Sequence, residues 1–244
     1  MQEVVYHTNY KLEDNYWWFV ARNNIVNDII KSHTDLSSDS QILDFGCGTG
    51  GFASILNKNY NVIGLDTSET ALKYALKRGI SDRFLGELKD FPQENYNIQA
   101  VTALDVIEHI EDDKKITQEI YDMLPKNGWL IATVPAYKWM WSHHDEVHMH
   151  YRRYNKKRFN DLLKNAGFKI EYSTYFNTFL FLPAFIKRLS DKIKNEKSEK
   201  PIDEVPDSLN KIFLKIFSSE KKMLKSFSFP FGLSLLTIAK KING

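Results

Sequence analysis

Between residues 43 and 52 the chain reads LDFGCGTGGF, an apolar run closed by four glycines in six positions, with the chain's single cysteine among them. Glycine admits positive φ and lets a backbone approach its neighbour closely. A short buried strand turning at once into a helix uses both properties, and the helix start presents unpaired N–H groups at the turn. By itself such a loop suits a redox turn, a nucleotide cradle or a plain strand–helix connection. Residues farther along must separate the three.

The same unit recurs. Residues 41–45, 61–66, 98–105 and 128–135 read as strands. Residues 51–59, 68–78 and 113–124 read as helices, with Ser68 an N-cap and Gly79 just past the second helix end. Repeated strand–helix–strand units imply a parallel sheet with helices on both faces. A helix over 156–166, closed by Gly167, leads to a strand over 168–175, and LSLLTIAK (233–240) supplies one more. The gap between those last strands is too long for a hairpin, so about 178–230 is an insertion. Within it, 191–206 is charged and proline-flanked and reads as mobile. Leu209, Ile212, Phe213, Ile216 and Phe217 follow helical spacing. Packing is the ordinary use of such a stripe, although the neighbouring Lys211, Lys215, Lys221 and Lys222 also suit a lid or a membrane surface.

Composition narrows the partners. A net charge of +2 on 244 residues, with no Asp/Asn-Pro-Pro-Tyr motif, gives no support to a nucleic-acid partner. One cysteine rules out an intramolecular disulfide framework and fits a cytoplasmic setting. The N-terminus lacks a signal pattern, and no apolar run reaches the ~20 residues of a membrane span. Peripheral membrane contact stays open, as does the choice between monomer and homodimer.

Asp66 ends the second strand, where a carboxylate accepts hydrogen bonds from ribose hydroxyls. The loop is not the Gly-x-Gly-x-x-Gly phosphate fingerprint, and Asp44 just ahead of it is a poor neighbour for a pyrophosphate. A cationic ligand carrying ribose but no phosphate suits it better. On these motifs the chain resembles the class I S-adenosylmethionine-dependent methyltransferases. ILDFGCGTGGF (42–52) is similar to their first motif and VIGLDTSETAL (62–72) to their second-strand acidic motif. FLGELKDFP (84–92) resembles the adenine-contacting segment, VTALDVIEHI (101–110) the fourth-strand motif, and LPKNGWLIATVP (124–135) the turn into the fifth strand.

The resemblance implies a Rossmann-like sheet of seven strands, mostly parallel with the last antiparallel, and a helical insertion before that last strand. It implies S-adenosylmethionine as cofactor and S-adenosylhomocysteine as product. Asp44, Gly46, Cys47 and Gly48 would lie along the methionine moiety, Asp66 on the ribose, and Thr67 beside the adenosine. Glu87 and Leu88 would adjoin the adenine, although Gly-Glu-Leu stands where the family often has Asp-Ala. Leu104, Asp105 and His109 would border the methionyl end. Cys47 has only Asp44 nearby, which would raise a thiol's pKa, so it reads as a small packing residue.

Two segments lie outside those motifs. NYWWFVARNN (15–24) belongs to an expected helical cap over 1–40, ahead of a methyltransferase domain over 41–244. Tyr16 and Trp18 would close over the cofactor while Arg22 reaches its carboxylate. WSHHDEVHMHYRRY (141–154) follows the fifth strand and should face the transferred methyl. His144 and His148 would share a face if it were helical, but it lacks His-Glu-x-x-His and supporting cysteines, so no metal is expected. Resemblance to a subgroup of the family implies His148 or His150 as base, with Glu108 and His109 as further candidates, and Arg152, Arg153 and Tyr154 on an acidic group of the acceptor. The expected reaction is methyl transfer to oxygen of a small molecule or a lipid- or glycan-linked acceptor. A non-catalytic S-adenosylmethionine-binding protein and a nicotinamide-dependent dehydrogenase are the alternatives.

Overall fold

β1 (Gln41–Phe45) is buried from Ile42 onward and pairs in parallel with β2 (Asn61–Asp66) on one side and β4 (Ile98–Leu104) on the other. The computed structural model describes residues 3–194 and 205–242, so much of the expectation for 191–206 falls on 195–204, outside the described residues. β3 (Arg83–Leu85) extends the sheet beyond β2, and β5 (Trp129–Pro135) continues it beyond β4. β6 (Phe168–Phe176) and β7 (Ser234–Lys241) complete the order β3-β2-β1-β4-β5-β7-β6, with β7 antiparallel to both neighbours. This is the expected seven-stranded sheet with one reversed strand.

Alternate residues of each central strand feed two separate apolar layers, which is why these strands are apolar throughout. Leu43, Ile63, Val101 and Leu130 meet α5 (Asp113–Met123) and α7 (Lys156–Asn165) through Ile116, Ile120, Phe159 and Leu163. Ile42, Val62, Ala100 and Ile131 meet α2 (Trp17–His33), α3 (Gly51–Leu56), α4 (Glu69–Lys77) and α9 (Asp207–Leu224) through Ile25, Ile29, Leu56, Ala75 and Phe217. Among the described residues the remaining α-helices are α1 (Glu3–Leu12), α6 (His143–Val147) and α8 (Phe181–Lys194). Short polar caps start the helices: Ser68 accepts from Ala71 N, Asp112 from Lys115 N and Asn155 from Arg158 N, each a contribution of about 1 kcal/mol.

The insertion and the N-terminal helices pack together. Trp17 meets Phe213 and Phe217 edge-on at 5.5 and 6.0 Å between ring centroids. Asn210 accepts from Trp17 N and donates to Asn15 O, both at 2.8 Å. Lys221 and Lys225 pair with Asp28 on α2. The stripe on α9 is thus partly a packing face, with Phe217 fully buried while Leu209 and Ile212 stay exposed. Among the described residues no helix is long and apolar enough to cross a membrane.

Candidate cofactor and active site

Strand order reverses between β1 and β4, and ligands of open α/β sheets bind beyond the strand ends at such a point. A cleft of about 1690 Å³ opens there. Gly46 and Gly48 turn the chain with φ of +70° and +54°. A Cβ on Gly46 would lie 2.6 Å from Val106 Cγ2, whereas one on Gly48 would meet nothing within 4 Å, so bare backbone faces the cleft there. Gly48 N donates to Asp66 Oδ2 and Ser68 N to Asp66 Oδ1, both at 2.9 Å. Two backbone donors therefore fix the Asp66 carboxylate at the end of β2, where it lines the cleft beside Thr67.

The floor is acidic. Asp44 is buried, accepts from Thr102 Oγ1 at 2.5 Å, and is pushed by burial up to about 7. Burial also raises Asp66 and Glu13, the latter accepting from Thr49 and pairing with Arg78 at 3.6 Å. Against these carboxyls stands Arg22, bound to Asp105 Oδ2 at 2.6 Å and to Asn23 through Nε, with its guanidinium 4.6 Å over the Trp18 ring. Asn9 Oδ1 and Trp17 Nε1 line the cleft buried and without hydrogen-bond partners. An acid-rich floor, open glycine backbone and orphaned polar atoms fit a cationic nucleoside ligand and oppose a pyrophosphate. Burial, with Asp44, Asp66 and Glu13 nearby, holds the Cys47 thiol well above its ordinary value, so no thiolate is available.

Most residues named from the sequence meet in this cleft. Tyr16, Trp18 and Arg22 line it from α2 and its cap, Asp44, Gly46, Cys47 and Gly48 from β1 and its loop, and Leu104, Asp105 and His109 from the end of β4. His148, His150 and Arg153 form its far wall. Four residues do not reach it. Glu87 is exposed and paired with Lys89 at 2.7 Å, and Leu88 is buried in the core, so neither lines the cleft where the resemblance sets both beside the adenine. Arg152 donates to the carbonyls of Ile110 and Glu111 and pairs with Asp113 at 3.2 Å. Tyr154 is fully buried with its hydroxyl donating to Asp113 at 2.9 Å. Both tie the segment to α5 and are placed to hold structure instead of an acceptor.

Asp145 organises the histidine wall. It accepts from His150 Nδ1 at 2.8 Å, from Arg153 Nε at 2.6 Å and from Ser142 N at 2.8 Å. Burial works against its charge, yet these donors hold the carboxyl well below the usual carboxylate range. α6 ends at Val147, so His148 lies beyond the helix. His109 sits on the turn after β4 with its ring 4.5 Å from that of His150, and burial together with His150 and His148 pushes it down to about 3. Glu108 is fully buried, and burial and Asp105 push its carboxyl well up. Sequence reasoning missed Glu13, Asn9 and Tyr6 on the cleft wall and Asp145 as the hub. Isolated acids and amides ahead of the strands carry no spacing signal, and Asp145 showed only as one member of a polar run.

Comparison with known proteins agrees with this geometry. Residues 22–173 match a family profile described as a methyltransferase domain. A ubiquinone biosynthesis O-methyltransferase of Rickettsia bellii is 32% identical over 119 residues, covering 46% of this chain and 50% of that protein. A probable S-adenosylmethionine-dependent methyltransferase of Mycolicibacterium smegmatis is 28% identical over 163 residues, covering 65% and 62%. The chain thus spans about half to two-thirds of the length of these curated relatives. Among solved structures, a SAM-dependent methyltransferase from Archaeoglobus fulgidus superposes with a TM-score of 0.62 at 14% identity, over 97% of this chain and 99% of that one. The [4+2]-cyclase SpnF gives 0.60 at 20% identity, over 94% and 88%. At such identities these two share the fold.

Proposed function

This chain belongs to the class I S-adenosylmethionine-dependent methyltransferases, and from that premise we propose that it methylates an oxygen atom of a small-molecule or lipid- or glycan-linked acceptor. The observation that carries the reading is one cleft joining the Gly46–Gly48 backbone and Asp66 at one end to the histidine wall at the other. When bound, S-adenosylmethionine supplies an electrophilic methyl group on a sulfonium centre. Asp66 would hold the ribose, the glycine backbone the methionine moiety, and Arg22 the carboxylate, since two of its five N–H donor sites are engaged at Asp105 and Asn23. The residues 1–40 would act as a cap closing on that end.

The acceptor hydroxyl must lose its proton. His109, pushed down to about 3, is too weak a base to hold it. His150 is better placed: Asp145 engages Nδ1, leaving Nε2 as the basic nitrogen and stabilising the charge that the ring takes up. Arg153, already bound to Asp145 and to Ala136 O, fixes that pair. The outer wall supports a partly apolar acceptor. Trp139 is exposed, stacks on Tyr137 and meets Phe181 and Phe185 of α8 edge-on, while Leu180, Pro183 and Leu189 line the same side. The exposed Leu182 and Ile186 on α8 suit contact with the surface that carries a lipid-linked acceptor.

Calorimetry with S-adenosylhomocysteine and with NAD, followed by mass-spectrometric product assay over phenolic, sugar and lipid-linked alcohols, tests the reading. Binding of S-adenosylhomocysteine, none of NAD, and a product heavier by one methylene are expected. Binding without turnover across the panel would favour a non-catalytic role, and the reverse ligand preference would favour a dehydrogenase.

A further inference from the structure

Glu108 is fully buried, and neither carboxylate oxygen has a hydrogen-bond partner. Buried polar groups are nearly always satisfied, so an orphaned carboxyl in a cleft wall calls for a ligand. Its neighbours supply the chemistry of one. Ligand atoms of Glu108, His109 and His150 all lie within 4.8 Å of one another, and all three residues line the cleft. His150 Nε2 stands 4.0 Å from Glu108 Oε1, too far for a hydrogen bond. Two ligands sharing a tetrahedral ion at ordinary bond lengths stand about 3.4 Å apart, so small side-chain rotations close the set.

The surroundings are those of a metal-binding histidine. Such a ring typically gives its second nitrogen to a carboxylate, which fixes its orientation. Here Asp145 accepts from His150 Nδ1 at 2.8 Å and is itself held by Arg153 and Ser142. Tyr151 N donates to Glu108 O at 2.8 Å and locks the turn after β4 against the segment after α6. Among the described residues, 141–154 alone holds no ligand set of metal spacing. The set arises only when the fold brings the β4 turn against that segment.

We propose that Glu108, His109 and His150 bind one first-row divalent transition-metal cation in the cleft wall, with its remaining positions open to an oxygen of the acceptor. Three protein ligands with open positions are the usual composition of a catalytic site, and two nitrogens with one carboxylate suit zinc, iron(II) or cobalt(II). The acceptor class that follows is a molecule presenting a hydroxyl, alone or beside a second oxygen. That class rests on the methyl-transfer reading, and the metal site itself does not. A bound cation would lower the pKa of an acceptor hydroxyl, and with the cation in place His150 would act as its ligand while the hydroxyl proton would pass to solvent; without it His150 keeps the role of base.

The test uses the full chain, treated with a chelator and titrated with Co²⁺ while visible absorption and heat are recorded. One equivalent should bind, with ligand-field bands of a nitrogen–oxygen set that Zn²⁺ displaces. Glu108→Gln and His150→Ala should each weaken binding tenfold or more with circular dichroism unchanged, and His33→Ala should not. No binding, or binding unaltered in both variants, overturns the site. Should the variants fail to fold, imidazole NMR signals of wild-type protein decide. Zn²⁺ must shift two histidines in slow exchange with the ring-contact pattern of His109 and His150, and their silence overturns the proposal. Neither readout needs an acceptor or turnover, so a negative result leaves methyl transfer standing.

Discussion

Asp66 spends both carboxylate oxygens on backbone N–H groups of Gly48 and Ser68, so it shapes the loop as well as facing the ligand. Asp66→Asn keeps the volume but replaces one acceptor by a donor facing an N–H. Hydrogen bonds to charged groups contribute about 1.5–3 kcal/mol, so S-adenosylhomocysteine affinity should fall roughly 10- to 150-fold by calorimetry. Asp145 is the second decisive side chain. Asp145→Asn leaves Arg153, 4% exposed, without its anion, and breaking a buried pair costs about 3–5 kcal/mol in urea unfolding. Because its carboxyl is held low, this contribution is complete above the unfolded carboxylate value of about 4 and fades only as pH falls toward its folded value. The destabilisation measured for the variant should therefore shrink as pH falls below about 4, and a loss that stays unchanged at lower pH would assign the hub's charge to another group.

At the scale of elements, the helices legible in advance were those with local signals. α4, α5 and α7 carry their own cap residues and amphipathic spacing, and they stand within a residue or two of the expected limits. α8 carries no such start. Its opening, with Pro183 in the first turn, reads from sequence only as an apolar stretch. The N–H groups of Thr178 and Phe179 just ahead of it are satisfied by Glu220 Oε1 of α9, at 2.7 and 2.8 Å. That cap is tertiary and invisible to a local reading. Burial pushes the Glu220 carboxyl up to about 7, so the folded chain holds this proton more tightly than the unfolded one. Its stabilisation is complete below the unfolded value of about 4.5 and is lost as pH rises through 7, a change of up to about 3 kcal/mol. Glu220→Gln keeps the accepting oxygen. Wild-type stability should therefore decline relative to this variant between pH 5 and 8 in urea titrations, and parallel curves would refute the assignment.

For the whole molecule, the insertion behaves differently from a removable lid. Phe217 and Leu224 are fully buried in the layer formed with α2 and the sheet, so α9 is part of the core. Phe217→Ala should cost about 3–5 kcal/mol in urea unfolding. Deleting 205–225 should lower the melting temperature and S-adenosylhomocysteine affinity together, as the packing use of the stripe requires, whereas deleting a lid would leave cofactor affinity nearly intact. The strands, the capped helices and the cofactor loop were legible because their signals are local: short apolar runs, glycine where φ is positive, a carboxylate at a strand end. Family membership followed from five such motifs in order. Tertiary structure alone decided which neighbours the functional groups have. It sent Arg152 and Tyr154 to Asp113, withdrew Glu87 and Leu88 from the cleft, and set Glu108 and His109 against His150 across some forty residues of chain. Sequence spacing governs contacts within a helix or strand, whereas contacts between elements depend on the order of the sheet and the packing above it.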